Sequence, residues 1–438
     1  MPDAALFDLG PKKEPGLGAA EPGVPRVSRP VRNQVEIVYT DLDSLIPDEH
    51  QVRMVWAYVE SADLSALYDR IRAVEGHAGR CAIDPRILLA LWLYATLDGI
   101  GSARALAKLC EDHIAYRWLC GGVSVNYHTL ADFRVESGAV LDQLLTDSVA
   151  RLRASGLVTL NRVAHDGMRV RASAGSGSFR REATLQRFQE EAAQQVVALK
   201  RELEEDAGAS DRRRKAARAR AARERLERVE EALRQYPAVH ARKKHDKEQT
   251  RVSVSDPDAR HMHMPDGGCR PAYNVQFTTD TGSQVIVDAA VIQSGSDHGQ
   301  LQPATERVEE RFGTKPKEVL TDGGFAKAKD IEDLAKATPP CLVYAPPTEL
   351  KTHDGKAIPP RPDEPAEVQA WRARMQTEEA KQIYKERAST AECVNALAHN
   401  RGLQQFVVRG IGKVGAVVLL FALAHNVIRT AALLGSFG

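Results

Sequence analysis

Between Arg180 and Lys247 the chain runs through a highly charged stretch of helical character, and the hydrophobic pattern on both sides of it is that of strands. That arrangement restricts the fold more than any other feature of the sequence. Ahead of it, Leu157, Val158, Leu160, Val163 and Ala164 lead into His165-Asp166-Gly167. Met168, Val170 and Ala172 then alternate with polar residues, as in a strand or hairpin. Beyond it, strand character returns at 273–278 and 284–291, and a helix is expected over about 299–312. A short strand at 318–320 ends in Thr321-Asp322-Gly323-Gly324, and a helix over 327–337 follows. The stretch 339–363 reads as Pro-rich and irregular, with long helices over 366–399 and 413–434. The sum is an α/β core interrupted by a charged helical hairpin, residues 180–247, with its bend at 206–210.

Residues 1–34 are rich in Pro and Gly without periodicity and read as a disordered leader. Residues 35–156 read as an all-α N-terminal domain. Asp84-Pro85 is a helix start, Gly99 and Gly101 break that helix, and Ser102 caps the next. Another turn falls at Gly121-Gly122, with Asn126 or Thr129 as a cap. Short helices joined by glycine turns suit a helix-turn-helix-like DNA-binding module, and they suit any small helical bundle equally well.

The 438 residues carry a net charge of only +1, so nucleic-acid binding has to come from local patches. One such patch lies between Arg212 and Arg228, where nine basic residues face two acidic ones. It reads as a phosphate-tracking surface or as the solvated face of a helix. Cys81, Cys110, Cys120, Cys269, Cys341 and Cys393 form no Cys-x2-Cys pair, which argues against structural zinc and a disulfide framework, and for a reducing compartment. The apolar run 414–424 is too short to span a bilayer and reads as a buried helix, so no membrane is expected. There is no phosphate-cradling glycine loop and no Gly-x-Ser-x-Gly elbow, and His261-Met262-His263 reads as loop.

Three carboxylates stand out by context. Asp166 lies in or at the end of a strand before a glycine, Asp322 follows a short strand before Gly-Gly, and Glu392 sits on a long helix with Tyr384 and Arg387 one to two turns earlier. Phosphoryl transfer on DNA calls for carboxylates from separate elements converging on two divalent ions about 3.5–4 Å apart. Each residue has a plain alternative: a hairpin turn, a helix cap, a solvated helical Glu.

The segments Val163–Ala172, Asp256–Arg260, Tyr273–Gln276 and Leu320–Phe325 resemble bacterial insertion-sequence DDE transposases. The spacing of Tyr384, Arg387 and Glu392 is similar to that family's Tyr-x2-Arg-x4-Glu arrangement, and Arg409-Gly410 and Ala424-His425-Asn426 resemble its tail. The likeness runs over roughly 40–432. It implies an RNase H-like mixed-sheet catalytic core at 157–179 and 248–438, with Asp166, Asp322 and Glu392 as catalytic metal ligands for Mg²⁺, replaceable by Mn²⁺. It further implies Tyr384 and Arg387 near the DNA backbone, with Arg387 as a bidentate phosphate contact. Arg104, Lys108 and Arg134 in the N-terminal domain, and Arg212, Arg213, Arg214 and Lys215 in the hairpin, are candidate DNA contacts. The implied protein binds terminal inverted repeats, cleaves and joins DNA as a homodimer or higher oligomer, and works in the bacterial cytoplasm, at the nucleoid when bound to DNA. The alternatives are a catalytically inactive or domesticated DNA-binding protein and a metal-dependent nuclease. In one departure from the family pattern, His399 stands where a Lys is usual, with Arg401 two residues on.

Overall fold

The computed structural model describes residues 32–33, 35, 39–73, 81–205, 209–243, 246–347 and 363–435. Chain contacts divide it into Met1–Asp41 and Leu42–Gly438, and the fold described below is that of the second unit. The expected leader at 1–34 falls almost wholly outside the described residues, as do 206–208 of the expected bend.

Among the described residues seven α-helices come first: α1 (Gln51–Ser61), α2 (Ser65–Tyr68), α3 (Pro85–Leu97), α4 (Ala103–Asp112), α5 (Ile114–Cys120), α6 (Tyr127–Glu136) and α7 (Gly138–Ala154). The caps read from the sequence are in place. Asp84 accepts from Arg86 N at 2.8 Å with Pro85 in the first turn, Ser102 caps α4, and Asn126 accepts from His128 and Thr129 N. Such caps satisfy amide groups that a helix start leaves without partners. Nearly all of α3 is buried, so it is the core around which the others pack.

The sheet consists of β1 (Arg162–Arg171), then, beyond the small pair β2 (Phe179–Arg180) and β3 (Val252–Ser253), β4 (Arg260–His263), β5 (Cys269–Asp280), β6 (Ile286–Ile292), β7 (Glu318–Leu320) and β8 (Leu342–Tyr344). β1 is antiparallel to β5 and parallel to β7, β7 is parallel to β8, and β4 and β6 share the far edge of β5. This mixed α/β architecture matches the expected RNase H-like core behind a helical N-terminal region. Ten consecutive residues of β5, Pro271 to Asp280, are buried, as befits a strand covered on both faces.

Three local expectations need correction and one is narrowed: of the strand and the hairpin read over 157–172, one continuous strand forms, over Arg162–Arg171. The segment 339–363 is not wholly irregular, because the three-residue strand β8 lies within it, hidden in the sequence by its shortness and the flanking prolines. His261 and His263 lie on β4, with Met262 buried between them, and not in a loop. The expected helix 366–399 is three helices, α12 (Ala366–Gln376), α13 (Glu378–Arg387) and α14 (Cys393–Asn400). Thr377 restarts the chain by capping α13, accepting from Ala380 N at 3.2 Å.

The helices α8 (Glu182–Glu205) and α9 (Ala209–Arg242) pack along each other, inserted between β2 and β3. Leu185, Ala232, Tyr236 and Val252 give the base of this hairpin a small core of its own. α10 (Leu301–Phe312) connects β6 to β7 and α11 (Ala328–Lys336) connects β7 to β8, and the last helix, α15 (Ile411–Leu433), is apolar on every side. It packs on α1, α3, α6 and α7 and on β6, joining the N-terminal helices and the sheet in a single apolar core. Among the described residues α15 alone is long and apolar enough to cross a membrane, and most of it is buried in this core. Asn426 accepts from Ile286 N and donates to Ile286 O at 2.8 Å each, and His425 bonds Gln284 O at 2.9 Å, so the Ala-His-Asn segment clamps α15 to β6. On the other side of the sheet edge, Arg311 of α10 ties buried Asp288 of β6 to Asp142 and Thr146 of α7.

Candidate active site

Asp166 lies in the middle of β1, and its position follows from strand register. β1 and β7 run parallel with Val163 opposite Val319 and Ala164 opposite Leu320. Two residues further along both strands stand Asp166 and Asp322, so the two carboxylates lie at the same level on adjacent chain segments. Side chains two residues apart along a strand share a face. Neither plain alternative holds. Asp166-Gly167 is not a hairpin turn, because β1 continues to Arg171 against β5. Asp322 does not cap α11, which starts only at Ala328, and its Oδ1 instead accepts from Gly324 N at 2.8 Å within a tight turn.

The glycine after Asp166 is required by crowding. A Cβ on Gly167 would stand 2.8 Å from both Asn274 Oδ1 and Asp297 Oδ1. Asn274 donates to Asp297 Oδ1 at 2.6 Å and Arg169 to its Oδ2 at 3.1 Å, which places a fourth carboxylate beside the two aspartates. Beneath them, fully buried His165 bonds Thr278 Oγ1 at 2.9 Å and meets the Phe325 ring edge-on. Burial, reinforced by Arg307, lowers the His165 pKa to about 3, so its ring is a neutral spacer and not an acid or base.

The third acidic residue arrives from the helical side. α13 and α14 are joined through a π-helical turn, Ala388–Glu392. Residues five apart diverge on an α-helix, but i→i+5 bonding stacks them. The turn therefore aligns Arg387 with Glu392. Arg387 donates to Glu392 Oε1 from one guanidinium nitrogen and to Asp166 Oδ2 from another, the latter at 2.6 Å. Thr390 Oγ1 anchors the turn on Glu386 O at 2.8 Å. Half-buried Tyr384 lies in the field of the same charges, and burial, opposed by Arg387, raises its hydroxyl pKa.

Asp166 is raised from the ordinary aspartate range to about 6. Burial is the main cause, Arg387 and the Gly167 amide oppose it, and Asp322 and Asp297 push it higher. A carboxylate so placed calls for positive charge nearby. Among the described residues no three Asp, Glu, His or Cys side chains are grouped closely enough, as they stand, to hold a metal ion. The guanidinium of Arg387 lies between two of the expected ligands. The donors are nonetheless all carboxylate oxygens sharing one field, the set that hard divalent cations take. The chemistry fits such an ion once Arg387 moves aside.

The remaining expected residues divide. Glu386, the other acid near the end of α13, pairs with Arg162 at 2.6 Å, whereas Glu392 shares Arg387 with Asp166. Arg104 and Lys108 are exposed on α4, and Arg214 is exposed on α9. Arg134, expected at a DNA surface, is buried: it stacks on Trp92 and donates to Gly101 O at 2.5 Å, closing the Gly99–Gly101 turn. Lys215 is also buried, because it falls on the side of α9 that carries Ala219 and Ala222. The side chains of Arg212 and Arg213 lie outside the described residues. His399 is exposed, and Arg401 is half-buried beside Gly99.

Sequence reasoning missed Asp297, Asn274 and Arg169 as neighbours of Asp166. Asn274 and Asp297 reach Asp166 from more than 100 positions away through the pairing of β5 with β1, Arg169 is seen only through its bond to Asp297, and Ser296-Asp297-His298 looks like any polar turn. The Asp256-Pro-Asp-Ala-Arg segment also has a concrete role: Asp256 accepts from Tyr273 OH at 2.6 Å and from Gly410 N at 3.1 Å, and Asp258 accepts from Ile411 N at 2.8 Å. Two acids thus receive the positive end of α15.

Comparison with known proteins bears on the two ends of the chain. A transposase domain family (DUF772) matches residues 40–136, which cover α1 to α6. A transposase DDE domain family matches residues 350–431, which carry Tyr384, Arg387, Glu392 and most of α15. Neither the curated proteins nor the solved structures give a match. DDE transposases generally depend on divalent metal and act on DNA. With a transposase domain match in front of the sheet and a transposase DDE domain match behind it, the chain is similar to DDE transposases at both ends.

Proposed function

We propose that this protein binds the terminal inverted repeats of its element and performs hydrolysis and then strand transfer at them, with Asp166, Asp322 and Glu392 as ligands for Mg²⁺ or Mn²⁺. The observation that carries this reading is the parallel register of β1 and β7, which sets Asp322, two residues past β7, level with Asp166, with Glu392 drawn to Asp166 through Arg387. Bound metal would activate the attacking hydroxyl and offset charge on the leaving oxygen. The chain's own part is geometric. The register of β1 and β7 sets the level of two carboxylates, the Asn274–Asp297–Arg169 cluster packs against Gly167, and Arg387 and Tyr384 would meet the phosphate backbone of bound DNA. Arg104 and Lys108 on α4 and the exposed arginines of α9 supply further phosphate contacts. Two DNA ends joined in one event call for two active sites, hence a homodimer or higher oligomer on DNA, acting in the bacterial cytoplasm.

The test is incubation of the full chain with a duplex carrying an element end and a target duplex in Mg²⁺ or Mn²⁺. Joined products are expected. Cleavage without joining makes the protein a nuclease, and a mobility shift without cleavage makes it a binder that has lost its chemistry.

A further inference from the structure

Both oxygens of Asp166 are engaged: Oδ1 accepts from Gly167 N at 2.8 Å and Oδ2 from Arg387 at 2.6 Å. Glu392 gives Oε1 to the same guanidinium. A cation shared by Asp166 and Glu392 therefore competes with Arg387 for Asp166 Oδ2 and Glu392 Oε1. The guanidinium is buried, yet its Nε has no hydrogen-bond partner. Its fork is thus engaged on two separate carboxylates with the Nε–H left over, whereas a single phosphate accepts the fork in parallel. A way out exists on the Glu392 side, where that side chain is 55% exposed against 11% for Asp166.

We propose that Arg387 is the built-in counter-cation of the carboxylate cluster, and that it leaves for a DNA phosphate when substrate docks, so that metal loading waits for DNA. The proposal rests on the reading of Asp166, Asp322 and Glu392 as metal ligands. Arg387 is then more than a phosphate contact. Without DNA it neutralises the acids and shuts out the ion. With DNA it vacates the oxygens at the same moment as it grips the backbone. Because coupling between two ligands is reciprocal, the metal must tighten DNA binding by the factor by which DNA tightens metal binding.

The test is Mn²⁺ binding by full-length protein, followed by electron paramagnetic resonance of the free ion, with and without duplex DNA. Wild type is expected to bind Mn²⁺ weakly alone and about tenfold more tightly with duplex, while Arg387→Gln binds about tenfold more tightly alone and gains nothing from duplex. Arg387→Lys keeps the charge but lacks the fork, so it stays near wild type alone and gains less from duplex. In chelator the melting temperature of Arg387→Gln falls below that of wild type, since two acids lose their counter-charge, and Mn²⁺ restores it. Should Arg387→Gln not fold, the wild-type response to duplex and the Arg387→Lys comparison carry the test. Equal Mn²⁺ affinity in wild type and Arg387→Gln, unmoved by duplex and abolished by Asp166→Asn, overturns the proposal and leaves the metal-ligand reading standing. No Mn²⁺ bound by any form, with or without duplex, overturns both.

Discussion

Asp166 and Asp322 are placed by a sheet, whereas Arg387 and Glu392 are placed by a distortion of a helix. The first pair sits where parallel pairing of β1 and β7 sets the level, over a floor of His165 and Phe325 that has no polar freedom. The second pair depends on one π-helical turn, and Glu392 is half in solvent. A sheet register cannot slip by one residue without turning every side chain to the other face. A π turn can be relieved by removing one residue. The site thus joins a rigid half to an adjustable half, and the adjustable half carries the arginine that competes for the acids.

The largest expected effect tests whether both halves act as one catalytic set. Asp166→Ala, Asp322→Ala and Glu392→Ala should each lower end cleavage by about a thousandfold or more while end binding persists, since lost ligation removes stabilisation made only in the transition state. Near-normal cleavage by any one of them removes that residue from the set.

Next comes the helical half alone. Inserting one alanine after Ser389, an exposed residue of the π turn, should put Arg387 and Glu392 six residues apart and turn them to different faces of the helix. Cleavage should fall nearly as far as in Glu392→Ala, with a small change in melting temperature. Full cleavage by the insertion variant would show that the turn does not place Glu392.

The rigid half should respond differently. Gly167→Ala forces a methyl against Asn274 and Asp297, so it should cost about 1–3 kcal/mol of stability along with activity. The raised Asp166 pKa gives this half a pH signature as well. The unfolded carboxyl ionises near pH 4 and the folded one near 6, so in that window the folded state binds the extra proton and stability falls as pH rises. At about 1.4 kcal/mol per pKa unit the loss is up to about 3 kcal/mol in metal-free protein. Asp166→Asn should abolish it, and an unchanged pH profile in that variant would assign the slope to another group.

The contrast also explains what could be read from the residues. β7 and Asp322 were legible because an apolar triplet followed by Asp-Gly-Gly is a local signal, and α3 was legible from its cap and its unbroken apolar run. Asp166 was legible as a residue, but not as mid-strand, because Asp-Gly is the commonest hairpin turn. The π turn left no trace in the periodicity, since five residues of irregular spacing fit either helix type. Arg134 and Lys215 looked like surface cations because charge alone does not reveal which face of a helix is covered. α15 does not read from sequence as the element joining the N-terminal helices to the sheet. Residues 40–150 in isolation would lose that covering, so a test of their DNA preference should use the full chain with α4 variants Arg104→Ala and Lys108→Ala.

The smallest expected effect lies on the hairpin. Neutralising Arg214, Arg218, Arg220 and Arg223, all exposed on α9, should weaken binding about equally for all duplexes. It should also reduce the slope of log affinity against log salt by about 0.9 for each phosphate that the protein no longer neutralises. An unchanged slope makes α9 a solvated face.

The convergence of the two halves on one metal is best measured by anomalous scattering from crystals of the protein grown with end DNA and Mn²⁺. The expected result is a peak within about 2.0–2.3 Å of carboxylate oxygens from Asp166, Asp322 and Glu392, with Arg387 turned to a DNA phosphate. Manganese bound elsewhere, or Arg387 still bridging Asp166 and Glu392 with DNA in place, would contradict it.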